Sequence, residues 1–271
     1  MAWQPLENVF DDLVVDAGAI ESLRSTIYAL ACSGHFTTQD HANTPAASPL
    51  NPEASTENLL RSADRASGRY PAPPRHWTVV DFGAVASIQS GYIFKSTHYA
   101  GEGVRLLRNI NVTPGHIDWK DTVRLPWVLA EDFARFRLNA GDIVISLDRP
   151  LISTGIKVAR LRPDDVPSLL VQRVGRIQFH EPGIVLPDYM LIWLNSPLFI
   201  ERLQPGRSAG VPHISSRDIE RIPFALPPLA EQQRIVDTVM RLTTQLDNLK
   251  LKLDQAEALR HAWLSAALSG R

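Results

Sequence analysis

Apolar positions along this chain change their period three times. Ile20, Leu23, Ile27 and Leu30 recur at spacings of three and four, which predicts a helix over residues 16–34. Asp16 suits its N-cap and Gly34 its C-terminal stop. Residues 41–76 then lose the pattern. Pro45, Pro49, Pro52, Pro71, Pro73 and Pro74 interrupt them and mark a linker, with room for one short helix around Glu53–Ala66. From residue 77 to 226 the pattern becomes strand-like. Val79–Ile88, Asp142–Leu147, Gly155–Leu161 and Val174–Phe179 read as strands, and a polar loop, Asp148–Thr154, joins the middle two. Pro187–Leu203 returns to helical spacing through Tyr189, Ile192, Trp193, Phe199 and Ile200, and Pro197 breaks it in two.

The third regime begins at Pro227-Pro228. Pro228 suits a first helical turn, and no Pro or Gly follows until residue 270. Val239, Leu242, Leu246, Leu249, Leu253, Ala256, Arg260, Trp263 and Ala267 alternate spacings of three and four, the mark of a coiled-coil seam. A helix of about 40 residues is roughly 60 Å long. That is longer than a compact domain of this size, so the stripe is expected to need a partner helix, against the alternative that it lies on its own domain. The expected fold class is α+β. It comprises a short N-terminal helical segment (residues 1–40), a Pro-rich linker (41–76), a mixed, sheet-rich globular domain (77–226) and a long C-terminal coiled-coil helix (227–271).

An internal repeat connects the two helical parts. Glu21, Leu23, Arg24, Ala31, Ser33 and Gly34 recur as Glu257, Leu259, Arg260, Ala267, Ser269 and Gly270, at a constant offset of 236. Both copies stop at Ser-Gly. The repeat implies a cyclic plan in which the chain begins with the helix end with which it finishes.

Composition narrows the class. The chain has 271 residues and a net charge of −1, which by itself argues against a nucleic-acid binder. The distribution is uneven: residues 75–226 hold 18 basic and 15 acidic side chains, net +3, and 15 of the basic ones are arginine. Arginine's planar fork suits phosphates and the guanine edge; a GC-rich genome would produce the same bias. The single cysteine, Cys32, excludes an internal disulfide and fits a reducing compartment. No apolar run is long enough to span a bilayer, and Asp11, Asp12 and Asp16 replace the basic start of a signal peptide, so a cytoplasmic location is expected.

Catalytic motifs are missing. Asn195-Ser-Pro-Leu198 lacks the second proline and the aromatic of an amino-methyltransferase motif, and no Gly-rich phosphate loop follows a strand. Asp118-Trp-Lys120 has the tail of a metal-dependent nuclease motif, but Glu102 upstream has no strand context. The eight histidines show no metal-ligand spacing. A binding module with no metal and no cofactor is expected.

Pro227-Pro-Leu-Ala-Glu-Gln-Gln-Arg-Ile-Val236, followed by a long helix ending in Ala-Leu-Ser-Gly270, resembles the conserved region of type I restriction–modification specificity (S) subunits. Upstream, Gly91-Tyr-Ile-Phe-Lys95, Arg105–Ile110, Leu138–Ser146 and Gly210–Ser215 resemble the skeleton of a target recognition domain, and Leu23–Gly34 the helix end that leads into one. A typical member has two recognition domains and two helical regions; this chain is similar to a half-subunit. The resemblance implies a homodimer with antiparallel long helices, joined through Val239, Leu242, Leu246, Leu249, Leu253, Ala256 and Trp263. It also implies double-stranded DNA and methyltransferase (M) subunits as partners, and leaves a translocase/nuclease (R) subunit open.

DNA reading needs phosphate anchors and side chains that reach base edges. Arg105, Arg108 and Asn109 cluster in one segment, and Lys95 follows the aromatic pair Tyr92/Phe94. Arg149 lies in the loop between two strands, and Arg207, Ser208, His213 and Ser215 lie in a glycine-rich polar loop. For each arginine the alternative is a solvated charge or an ion pair, and for His213 a polar loop residue. Asp142 reads as a turn residue; Trp119, Trp127 and Trp193 read as core. The competing class is a coiled-coil adaptor that recognises a protein or RNA.

Overall fold

The computed structural model describes residues 17–36, 73–203 and 213–268. Asp16, the Glu53–Ala66 segment, Arg207 and Ser208 lie outside the described residues. Helix α1 spans Ala17–Cys32. Its C-terminus closes at Gly34, whose φ of 78° lets His35 N–H reach back to the Leu30 carbonyl at 3.0 Å.

The chain enters the globular domain on strand β1 (Thr78–Asp81) and leaves it on β14 (Pro223–Leu226), and the two pair antiparallel from Thr78↔Leu226 to Asp81↔Pro223. The strand expected over Val79–Ile88 is broken: a single helical turn, α2 (Phe82–Val85), separates β1 from β2 (Ala86–Ser90). That turn drops Phe82 into the core, which an extended chain of alternating side chains would not do.

Two four-stranded sheets organise the domain. One has the order β11 (Val158–Arg160), β8 (Ile143–Ser146), β13 (Val174–Phe179), β2, all antiparallel. The other has the order β6 (Arg124–Leu125), β3 (Val104–Leu107), β12 (Ser168–Leu170), β7 (Arg137–Leu138), with β3 and β12 parallel. Two small hairpins, β4 (Val112–Thr113) with β5 (His116–Ile117) and β9 (Leu151–Ile152) with β10 (Gly155–Ile156), complete the strands. β8 reads as an unbroken apolar run because both its faces are covered. Ile143 and Ile145 join the main core, and Val144 joins a second cluster with Leu107, Leu170 and Val174. The predicted strand at Gly155–Leu161 is two pieces, split at Lys157.

The main core is aromatic. Trp193 of α4 (Pro187–Leu194) stacks on Phe82 at 5.6 Å and meets Phe199 of α5 (Pro197–Ile200) at 4.7 Å and Phe224 of β14 at 4.9 Å. Exposed Trp127, on the short helix α3 (Trp127–Ala130), is not in this core, contrary to expectation. It follows Pro126 on a one-turn helix that buries only Ala130.

Helix α7 (Leu229–Leu268) is 40 residues long and starts directly after β14. Its first turn carries two buried polar side chains. Gln232 accepts from Leu186 N–H at 2.8 Å and donates to the carbonyls of Ile184 and Pro227 at 2.8 and 3.0 Å. Glu231 pairs with His76 Nε2 at 2.9 Å. The helix is thereby bolted to the domain by its backbone partners before its apolar stripe begins.

The stripe itself corrects an expectation. Val239, Leu242 and Leu246 are buried inside the chain's own main core, together with Ile235 and Val236. Their cover is α1, not a partner helix. Ile20, Ile27 and Ala31 belong to the same cluster, Arg24 pairs with Asp247 at 2.6 Å, and Glu21 with Lys250 at 3.1 Å. As α1 numbers rise from 21 to 24, their α7 partners fall from 250 to 247, so the two helices run antiparallel. Leu249 and Leu253 lie half-buried where α1 ends. Beyond them Ala256 is exposed, Leu259 is 72% exposed and Trp263 70% exposed. Periodicity placed the stripe correctly but could not say what covers it. Among the described residues no helix is long and apolar enough to cross a membrane.

Leu246→Ala therefore tests an intrachain contact. It should lower unfolding stability by about 2–5 kcal/mol in urea titrations, with the same loss relative to the wild type at every protein concentration. A loss that vanishes on dilution would return the residue to a subunit seam.

Candidate nucleic-acid interface

The loops at one end of the two sheets converge on a single face. Residues 90, 91, 93, 147, 172–173 and 213–216 meet there around a shallow groove lined by Gly91, Ile93, Arg173, His213 and Ser215. The convergence is held by backbone. Gly91 N–H donates to Val174 O at 3.1 Å, Tyr92 N–H to Leu170 O at 3.0 Å, and Gln172 N–H to Tyr92 O at 2.9 Å. This ladder joins the end of β2 to the end of β12 and so links the two sheets. It requires glycine at 91, where a Cβ would collide with the backbone of Val171.

Of the sequence-derived residues, His213 and Ser215 line this groove, and Tyr92, Lys95 and Arg149 lie on the segments that lead from it. Tyr92 is exposed, with its ring against Phe94, Phe133 and Phe136 at 5.0, 4.8 and 5.5 Å. Lys95 is exposed two residues beyond the groove. Arg149 is exposed and has a left-handed backbone, φ 46°. His213 forms a backbone bridge with Asp148 and sets its Nδ1 3.3 Å from Asp148 Oδ1. Ser215 faces the groove but also caps helix α6 (Ser216–Glu220), accepting from Asp218 N–H at 3.1 Å.

Asn109 is tied to Lys157 and sits beside Ser146. Its carbonyl and its Oδ1 each accept from Lys157 Nζ at 2.6 Å, and its Oδ1 lies within reach of Ser146 Oγ. Burial lowers the pKa of Lys157, Asp148 raises it in opposition, and Arg149 lowers it further. Arg105 and Arg108 are held away from the groove. Arg105 lies 4.4 Å over the Trp119 ring and donates to Asp164 O, and burial lowers its pKa. Arg108 donates to both the carbonyl and the carboxylate of Asp121 at 2.8 Å. The ion-pair alternative weighed for each arginine thus describes Arg108, and a cation–π stack describes Arg105.

Three groups on this face were not singled out from sequence: Asp148, Lys157 and Arg173. Asp148 is nearly buried and pairs with Arg173 Nη1 through Oδ2 at 2.9 Å. A run of Leu-Asp-Arg-Pro after an apolar strand hints at a structured loop, but the partner 25 residues on is not legible. Asp142 behaves as read, accepting from Asn139 N–H at 2.9 Å in its turn, and Lys120 makes a surface pair with Asp118. Among the described residues no group of three acidic, His or Cys side chains could hold a metal ion.

The family model for the type I restriction modification DNA specificity domain matches residues 74–258, from the foot of β1 to well along α7. The chain belongs to the type I restriction modification specificity family. The EcoAI type I restriction enzyme specificity subunit of Escherichia coli is 35% identical over 266 residues, covering 94% of this chain and 45% of that protein. The MjaVIII specificity subunit of Methanocaldococcus jannaschii is 30% identical over 201 residues, covering 73% of this chain and 47% of its own length. The chain thus spans about half the length of the curated relatives it matches. The crystal structure of the HsdS subunit from Thermoanaerobacter tengcongensis shares the fold, with a TM-score of 0.53 at 18% identity over 97% of this chain and 54% of that one. A structure described for complex assembly and conformational transition of the type I R-M system has a TM-score of 0.54 at 19% identity, over 78% of this chain and 52% of that one.

Gly91→Ala should cost about 1–3 kcal/mol of stability in urea unfolding, because the backbone ladder cannot yield to a methyl group. A variant as stable as the wild type would mean that the crossing of residues 91 and 171 does not hold the face together.

Proposed function

We propose that this chain is the sequence-reading subunit of a type I restriction–modification system. In this reading the loop face binds double-stranded DNA, and the rod positions methyltransferase (M) subunits and, where present, translocase/nuclease (R) subunits. The chain itself does no chemistry; a partner methyltransferase flips and methylates the base. The observation that carries the reading is the meeting of Arg173 and His213 in one groove beside Gly91, with exposed Arg149 and Lys95 on the loops that lead from it, in a chain of this family.

Two copies are proposed to act together. The far half of α7 exposes Ala256, Leu259 and Trp263 at spacings of three and four on a helix that has left its own domain. An antiparallel α7 from a second copy would cover them, with a tryptophan at the seam, the residue type most often central to an interface. The seam is therefore shorter than the full stripe and omits Val239, Leu242 and Leu246.

Duplex binding by the chain assembled with its methyltransferase subunits should weaken steeply with salt, in a log–log plot of negative slope. Binding that ignores salt, or that prefers a protein or RNA ligand, would favour the adaptor reading. Leu259→Glu with Trp263→Glu should raise the dimer dissociation constant by roughly 30-fold or more in sedimentation equilibrium while leaving the urea midpoint of the monomer unchanged. Unchanged self-association would place the seam elsewhere.

A further inference from the structure

Among the described residues, two that are not glycine have left-handed backbone, and both are arginines: Arg149 at φ 46° and Arg173 at φ 70°. Non-glycine residues in that region are uncommon, and such strain persists where the surroundings enforce it. The two loops that carry them are clamped together. Leu147 N–H donates to Arg173 O at 2.8 Å, and Ile214 N–H to Leu147 O at 3.0 Å. Between them sits Asp148.

Asp148 is fixed from several sides. Its carbonyl accepts from Ser146 Oγ at 2.6 Å, its Oδ1 faces His213 Nδ1, and its Oδ2 takes Arg173 Nη1 at 2.9 Å. The Arg173 side chain remains half exposed while the Asp148 side chain is 13% exposed. The carboxylate is thus buried behind the guanidinium, and the guanidinium stands between it and solvent. A surface ion pair by itself contributes little. The left-handed backbone of Arg173 belongs to the tight turn that Val174 N–H closes on Val171 O at 3.1 Å, but that turn does not call for an arginine. A guanidinium fork held against Asp148 has a recognition use.

A guanidinium has five N–H donors in a rigid plane. With one nitrogen committed to Asp148, another edge of the fork is left for a planar partner with two acceptors. Guanine O6 and N7 in the major groove are such a pair. A phosphate also offers two acceptors, but the Asp148 carboxylate has already offset the charge of Arg173 and would repel an anion. A neutral base edge suffers no such repulsion. Arg149 differs: it has no carboxylate partner among the described residues, and its charge suits a phosphate.

We propose that Arg173 reads a guanine through the guanidinium edge that Asp148 leaves open, with Asp148 as its positioning residue and Arg149 as a phosphate anchor beside it. This rests on the DNA-reading function proposed above, and adds that each recognised half-site contains a G·C pair opposite this loop. The buttress fixes the fork before DNA arrives, so that little side-chain freedom is lost on contact.

Selection of bound duplexes from a randomised pool, by the full chain assembled with its methyltransferase subunits, tests this. Arg173→Lys keeps the charge and loses the fork; Arg173→Gly keeps the left-handed backbone free of strain. Both should lose the preference for guanine at one position by roughly 5- to 150-fold, with the other positions intact. Asp148→Asn should relax the same position and no other. Arg149→Gln should leave the motif unchanged, weaken all sequences alike and reduce the salt slope by about 1. A wild-type motif that survives unchanged in both Arg173 variants would overturn the guanine assignment alone. An Asp148→Asn variant with wild-type preference would remove the positioning role. A wild-type complex that selects no motif would overturn the DNA-reading function together with this inference.

Discussion

The burial of the first half of α7 is the contact on which the rest of the structure depends. Gln232 and Glu231 fix the helix to the chain around residues 184–186 and to His76, and Ile235, Val236, Val239, Leu242 and Leu246 then seal against α1 and the aromatic cluster around Trp193. Because β14 runs into α7 with only Pro227 and Pro228 between them, the direction of the rod is set by the same core that sets the sheets. The loop face and the rod are therefore built on one core, with no break between β14 and α7 beyond the two prolines.

This arrangement gives the internal repeat a physical meaning. Glu21 and Arg24, two of its identities, are the residues that pair with Lys250 and Asp247. Glu257 and Arg260 carry the same charges at the same spacing on the bare half of α7. α1 thus shows how a helix end of this sequence docks onto a long helix, and the proposed seam gives the C-terminal segment the same task.

Much of the fold was legible because single-chain periodicity reports burial well. β8, β13, the break at Pro197 and the whole of α7 follow from it. What periodicity could not report was the identity of the cover. A stripe at 3.5-residue spacing reads the same whether α1 or a second copy lies on it, so Val239, Leu242 and Leu246 read as a seam although they are buried in the chain's own core. Short-range chemistry misled in a different way at Val79–Ile88, where one helical turn is too brief to leave a pattern. In the candidate site, loop position pointed to Arg149, His213 and Tyr92, all exposed in the structure. Asp148 and Arg173 escaped notice because their significance lies in a pairing across 25 residues and in backbone angles that only glycine advertises in sequence. Arg105 and Arg108 drew attention by clustering, yet the structure gives them Trp119 and Asp121 as partners.

On the proposed function, a reader on a rod that meets a second copy of itself makes one demand on DNA. The two-fold of the protein must coincide with a two-fold of the site. Methylome sequencing of cells carrying the system measures this most directly. The account predicts a bipartite motif whose two halves are identical and inverted about an unread spacer, each containing a G·C pair. A motif with two unrelated halves, written by this chain as the sole recognition subunit, would contradict it.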